Sequence, residues 1–142
     1  MPLRPDITIE AMRQRLIGLP ALLGLQVVDL AEGELRMRVQ IEPRLLAPNG
    51  YLHAGTVVSL ADTACGFACI AHLPQGAENF TTIELKTNFL GTATSGALVA
   101  RAHSLHLGRT TQVWDASVSH VESGRKIAEF RCTQLILWPK AA

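Results

Sequence analysis

The sequence is poor in aromatic residues and in charge, and each shortage excludes a class of protein. Aromatic residues make up 5% of the 142 residues, charged residues 18%, and the net charge is +1. With so small a net charge and no basic run, we expect neither nucleic acid nor a membrane as a partner. At 48% hydrophobic residues, the composition is typical of a globular protein with a sizeable core. This length predicts a single domain, residues 1–142, in which residues 1–20 are an N-terminal helix and lead-in.

Cysteine is also scarce. Three cysteines cannot all pair, so we expect no disulfide framework and predict a reducing, cytoplasmic location. Cys65 and Cys69 lie four residues apart, which is not the spacing of a zinc site, so we expect small core residues and no metal. The N-terminus has no apolar core of a signal peptide.

Charge is scarcest between Arg44 and Glu78, where Asp62 is the only formally charged side chain. Asp62 lies in LHAGTVVSLADTACGFACIAH, residues 52–72, a stretch otherwise typical of a buried helix. Because an acid at the centre of a membrane span costs about 2.5–3.5 kcal/mol, we expect a helix in a folded core instead. Burying a carboxylate is costly unless it is paired, hydrogen-bonded or neutralised. Asp62 is therefore either a functional group or a structural Asp bonded to nearby backbone or hydroxyl groups.

Most of the remaining sequence is typical of β-structure. Periodicity and turn residues predict a short helix over 8–18 and a long one over 54–72. Strands are predicted over 22–30, 34–42, 80–90, 97–107, 110–121 and 125–137. Tight turns between consecutive strands predict an antiparallel sheet. A single apolar helix wrapped by that sheet is an α+β fold, and its open edges favour a homodimer.

Three segments carry a resemblance to a known family: NGYLHAGTVVSLADTACGFA, TTIELKTNFLGTATSGALV and HLGRTTQVWDASV. With the order of elements, they resemble the hotdog-fold acyl-CoA thioesterases. The nearest subgroup is the phenylacetic-acid-degradation type with its hydroxybenzoyl-CoA-hydrolysing relatives. The resemblance covers residues 20–138 and implies a hotdog fold, an antiparallel sheet around one long central helix. It also implies a homodimer or a homotetramer.

The resemblance implies a set of catalytic residues. The family pattern is an Asn or Gln, then His-Gly-Gly, then an acid eight residues after the first glycine; here stand Asn49, His53, Ala54, Gly55 and Asp62. Asp62 would be the general base or nucleophile, and the Ala54 N–H would polarise the carbonyl. Ala54 replaces the first glycine, and Asn49 lies four residues before His53 where six are usual. His53 would assist at the carbonyl or shape the loop, while Asn49 would orient water or form a turn.

Further residues are candidates for binding the substrate. Gly55 belongs to the motif, and Thr82 aligns with a hydroxyl that some relatives use to position water from the partner subunit. Gly66 replaces a Ser or Thr of some relatives and would leave room for the acyl chain. Lys86 and Arg109 would hold the phosphates of CoA. A plain strand threonine and solvated surface charges are the open alternatives.

Helix geometry predicts how Ala54 and Asp62 meet. Eight residues at 1.5 Å each separate them by roughly 12 Å, and one carbonyl carbon cannot lie within about 3 Å of both. If both act on one thioester, they come from different subunits with antiparallel long helices. The expected function is hydrolysis of acyl- or aroyl-CoA to the free acid and CoA, without a cofactor. The open alternatives are an acyl-thioester hydratase or dehydratase and a non-catalytic acyl-CoA-binding protein.

Overall fold

The fold is a six-stranded antiparallel sheet wrapped around one long helix, as the sequence predicts. The computed structural model describes residues 1–140. Its helices are α1 (Ile9–Gln14), α2 (Leu19–Leu22) and α3 (Ala54–Ala71). Its strands are β1 (Gln26–Ala31), β2 (Glu34–Gln40), β3 (Asn79–Phe89), β4 (Ala97–Leu107), β5 (Thr111–His120) and β6 (Lys126–Leu137). They lie in the order β1-β2-β4-β5-β6-β3, with every neighbouring pair antiparallel.

The core lies between α3 and the concave side of the sheet. In β2, Leu35, Met37 and Val39 are buried while the residues between them are more exposed, because successive side chains of a strand point to opposite faces. By length and composition α3 could cross a membrane, since its mean hydropathy is 1.5 over 18 residues. In the fold 61% of that window is buried, and α3 packs against β2 to β6. Packing against the sheet thus accounts for its apolar sequence.

Two histidines mark the ends of α3. At its start, Nδ1 of His53 accepts a hydrogen bond of 2.7 Å from the Gly55 N–H, as an N-cap does. Past its end, Nδ1 of His72 lies 2.7 Å from the Ala68 carbonyl oxygen, and its Nε2 accepts a bond of 2.8 Å from the Gly33 N–H. His72 is fully buried, and burial lowers its pKa. A neutral His72 therefore ties the end of α3 to the turn between β1 and β2.

The lead-in differs from the sequence prediction. α1 ends at Gln14 rather than at residue 18, and β1 begins at Gln26 rather than at residue 22. The predicted strand start was wrong because residues 19–22 form α2, which has Pro20 in its first turn. Proline fits there because its fixed φ suits a helix and its missing N–H would have no partner in any case.

Strand β3 forms one edge of the sheet and is bonded to β6 alone. Its register shifts between Thr82 and Glu84, which leaves Ile83 as a bulge, 56% exposed. Leu85 and Phe89 are exposed as well, although they are large and apolar. An apolar edge strand with unpaired backbone groups is a surface on which another strand can pair.

Candidate active site

Asp62 lies in the middle of α3 and is half-buried. Its Oδ1 atom is buried and has no hydrogen-bond partner in residues 1–140. Oδ1 thus lacks the bonds of a purely structural Asp, although the Thr82 hydroxyl lies near enough to the carboxylate to affect its pKa. Burial raises the pKa of Asp62 above its usual value, and the hydroxyl of Thr82 opposes that rise. A carboxylate with a raised pKa and an open oxygen is a stronger base than a solvated one.

Ala54 is the first residue of α3 and is exposed. The N–H at this position has no acceptor within a helix, because the first four N–H groups lack an i−4 carbonyl. Among residues 1–140 no residue other than glycine has a positive φ, so Ala54 adopts its conformation without strain. The replacement of the family glycine by alanine therefore keeps this N–H at the positive end of the helix dipole.

His53 and Gly55 form the cap that begins α3. Nδ1 of His53 accepts from the Gly55 N–H, so this nitrogen is the acceptor of the capping bond. A Cβ at position 55 would lie 2.9 Å from that Nδ1, so the capping bond requires glycine there. This capping bond is a local contact of the loop that enters α3, and a role of His53 at the carbonyl stays a prediction.

Thr82 lies on the face of β3 that is turned to α3, beside Asp62 of its own chain. Its hydroxyl donates a bond of 2.8 Å to Oε1 of Gln134, a fully buried side chain on β6. Sequence reasoning did not identify Gln134. The sequence does contain a signal for it. Alternation of side chains along β6 places Gln134 on the same buried face as Cys132 and Ile136, where a polar residue is unusual.

Gly66 follows Asp62 by one helical turn and is buried. A Cβ at this position would lie 2.8 Å from Cζ of Phe80. The Phe80 ring therefore fills the space that a side chain at position 66 would take, and a role of Gly66 in leaving room for the acyl chain stays a prediction.

Three predicted residues do not bond to Asp62 in the described part of the chain. Asn49 is exposed, and its Oδ1 accepts a bond of 3.2 Å from the Tyr51 N–H, which is a turn interaction. Lys86 pairs in register with Arg131 on the outer face of the sheet, away from α3. The Arg109 guanidinium lies 4.5 Å from the centre of the Trp138 ring. A role of Lys86 and Arg109 in holding CoA stays a prediction.

The three cysteines are buried and free: Cys65, Cys69 and Cys132. Burial raises the pKa of Cys69 to about 12, so this thiol is protonated and unreactive at neutral pH. Within residues 1–140 no group of three or more His, Cys, Asp and Glu side chains is placed to hold a metal ion.

Comparison with known proteins matches this chain to thioesterases and to a hydrolase of a CoA ester. The family described as "Thioesterase superfamily" matches residues 49–132, which include α3 and β3 to β5. The 1,4-dihydroxy-2-naphthoyl-CoA hydrolase of Listeria monocytogenes is 27% identical over 117 residues, 82% of this chain and 94% of that protein. A mutant thioesterase from Pseudomonas aeruginosa superposes with a TM-score of 0.89 at 27% identity, covering 95% of this chain and 97% of the other. The Escherichia coli PaaI protein from the phenylacetic acid degradation operon superposes with a TM-score of 0.81 at 25% identity, covering 94% of this chain and 93% of the other.

Proposed function

Because this chain belongs to the thioesterase superfamily and is a thioester hydrolase, we propose that its substrate is an acyl- or aroyl-CoA. The products would be the free acid and CoA. The observation that carries the proposal is the Asp62 carboxylate, half-buried in α3 with an unpartnered oxygen and a raised pKa. It is the acid at the place where the resemblance expects the catalytic group.

The proposed chemistry needs a base and a donor. The ionised Asp62 either activates a water molecule or attacks the thioester carbonyl itself. The charge that develops on the carbonyl oxygen is stabilised by a hydrogen bond that the N–H of Ala54 donates, and by the helix dipole. The thiolate of CoA leaves and takes up a proton. Water supplies the hydroxyl of the acid, either by direct attack or by cleaving the mixed anhydride that attack by Asp62 would form. No step draws on a metal or redox cofactor, and the buried free thiols support a reducing, cytoplasmic location.

The two groups are proposed to come from different subunits of a homodimer. Ala54 and Asp62 are eight residues apart on one unbroken helix, roughly 12 Å along its axis. The exposed apolar edge of β3 supports a partner that extends the sheet and brings the two α3 helices together. A tetramer would be a dimer of such dimers.

The first test is hydrolysis by the wild type and by Asp62→Asn. Thiol release from a panel of acyl- and aroyl-CoA esters is followed with a thiol reagent. Asn is nearly isosteric but cannot ionise, so we expect kcat to fall by about 10²–10⁴-fold while the assembly measured by size exclusion stays unchanged. Near-normal turnover by this variant would contradict the mechanism.

The same panel separates the alternatives. A hydratase or dehydratase would change the enoyl absorbance of a suitable ester without releasing thiol. A non-catalytic binding protein would bind the esters, measured by calorimetry, and release none.

A further inference from the structure

Phe80 lies against α3 one helical turn from the proposed catalytic carboxylate. Gly66 follows Asp62 by four residues, so both lie on one face of α3 about 6 Å apart along its axis. The ring atom Cζ of Phe80 is 2.8 Å from the place of a Cβ at position 66. The ring thus occupies the position that a side chain at residue 66 would take.

The distance between two residues on the same face of β3 matches the rise of one turn of α3. Phe80 and Thr82 are two residues apart, or roughly 6.6 Å along β3, which is close to the rise of one helical turn. Both face α3, because their register partners on β6, Ile136 and Gln134, are buried. Thr82 lies beside Asp62, and Phe80 lies beside Gly66. The Phe80 ring is therefore one helical turn from Asp62, toward the C-terminal end of α3.

An acyl group leaving the carbonyl toward the C-terminal end of α3 therefore meets the Phe80 ring within one turn. The ring is half-buried and packs against the core beside Gly66, one helical turn from Asp62. Resting on the proposed function, we propose that Phe80 determines acyl-chain specificity by closing the acyl pocket one turn beyond Asp62. Gly66 makes this closure possible, and the pocket favours short or compact acyl groups over long straight chains.

The test compares the chain-length preference of the wild type with that of Phe80→Ala and Phe80→Leu. The substrates are straight-chain CoA esters from butyryl to lauroyl, together with benzoyl-CoA, and the readout is kcat/KM from thiol release. We expect the lauroyl-to-butyryl ratio of kcat/KM to rise about tenfold or more in Phe80→Ala, because even one methylene in an apolar pocket changes specificity by this amount. Phe80→Leu should give a smaller rise in the same direction, and it keeps the inference testable if the alanine variant does not fold.

The matched control is Leu105→Ala on β4, since Leu105 is apolar and half-exposed, and β4 does not neighbour β3 in the sheet. This control should keep the wild-type ratio. An unchanged ratio in both Phe80 variants, with the wild type active, would overturn the specificity role alone. A wild type that releases thiol from none of the esters would instead overturn the proposed function and the inference with it.

Discussion

Burial of the Asp62 side chain has two opposite effects. It makes the carboxylate a stronger base, and it lowers the stability of the fold at neutral pH. Desolvation disfavours the charged form, and the unpartnered Oδ1 receives no hydrogen bond that would offset this cost. Proteins with a buried active-site charge of this kind are often less stable than variants in which a neutral residue replaces it.

Asp62→Asn is therefore expected to raise the melting temperature at pH 7. The folded-state pKa of Asp62 is raised, so between the unfolded value near 3.8 and the folded value the native state binds more protons. Stability falls as the pH rises through that window, and the full cost is present above it. Removing the charge should gain about 1 kcal/mol, or roughly 3–5 °C at this chain length, measured by scanning calorimetry.

The gain should shrink as the pH approaches 4, because wild-type Asp62 then becomes neutral in the folded state. Asp29→Asn, at an exposed position, serves as the control and should change the melting temperature little at either pH. A lower melting temperature of Asp62→Asn at pH 7, or an equal gain at both pH values, would contradict the cost assigned to the buried charge.

The sequence predicts those site residues that can be recognised individually, from their own type and position in the chain. Asp62 stands out because it is a lone charge in an apolar segment, and Ala54 because it occupies a motif position. The contact of Phe80 with Gly66 joins residues 14 positions apart, and the bond from Thr82 to Gln134 joins residues on two strands. Such contacts depend on how strands and helix pack, which no local pattern contains.

At the scale of elements, prediction succeeded where periodicity is long and failed where it is short. The predicted strand over 97–107 coincides with β4 (Ala97–Leu107), and the predicted helix over 54–72 ends one residue beyond α3. α2 (Leu19–Leu22) has four residues, too few to show a helical period, so the sequence pattern does not predict it. Sequence alone leaves the role of His53 open, because histidine is not a preferred N-cap residue.

The first position of α3 offers a sharp test of the oxyanion donor. Ala54→Pro removes the N–H at a helix position where proline is well tolerated. His53 already has φ −67° and ψ 133°, the extended conformation that a residue before proline requires. We expect an intact fold by circular dichroism and a fall in kcat of about 10²–10³-fold.

Ala54→Gly keeps the N–H and is the control, which should retain near-wild-type kcat. If Ala54→Pro folds and turns over at a similar rate to Ala54→Gly, the donor is not this N–H.

At the scale of the whole molecule, the proposed site is divided between two subunits. A mixture of Asp62→Asn and Ala54→Pro chains, each inactive alone, should regain activity after subunit exchange. Half of the dimers would be mixed, and each mixed dimer has one intact site of two, so about a quarter of wild-type activity is expected. Thiol release is measured together with native mass spectrometry of the exchanged sample. Mixed dimers without any regained activity would show that both groups act within one chain.

The order of elements along the chain has a consequence for synthesis on the ribosome. Of the strands that pack on α3, only β2 precedes it, and β3 to β6 follow. At about 5–20 residues per second, the 66 residues from the end of α3 to the end of β6 take roughly 3–13 s to make. During that time the most apolar segment of the nascent chain has little of its final cover. Asp62 places a charge at the centre of that segment, so the residue proposed for catalysis also interrupts the hydrophobic run that chaperones and the membrane-insertion machinery encounter.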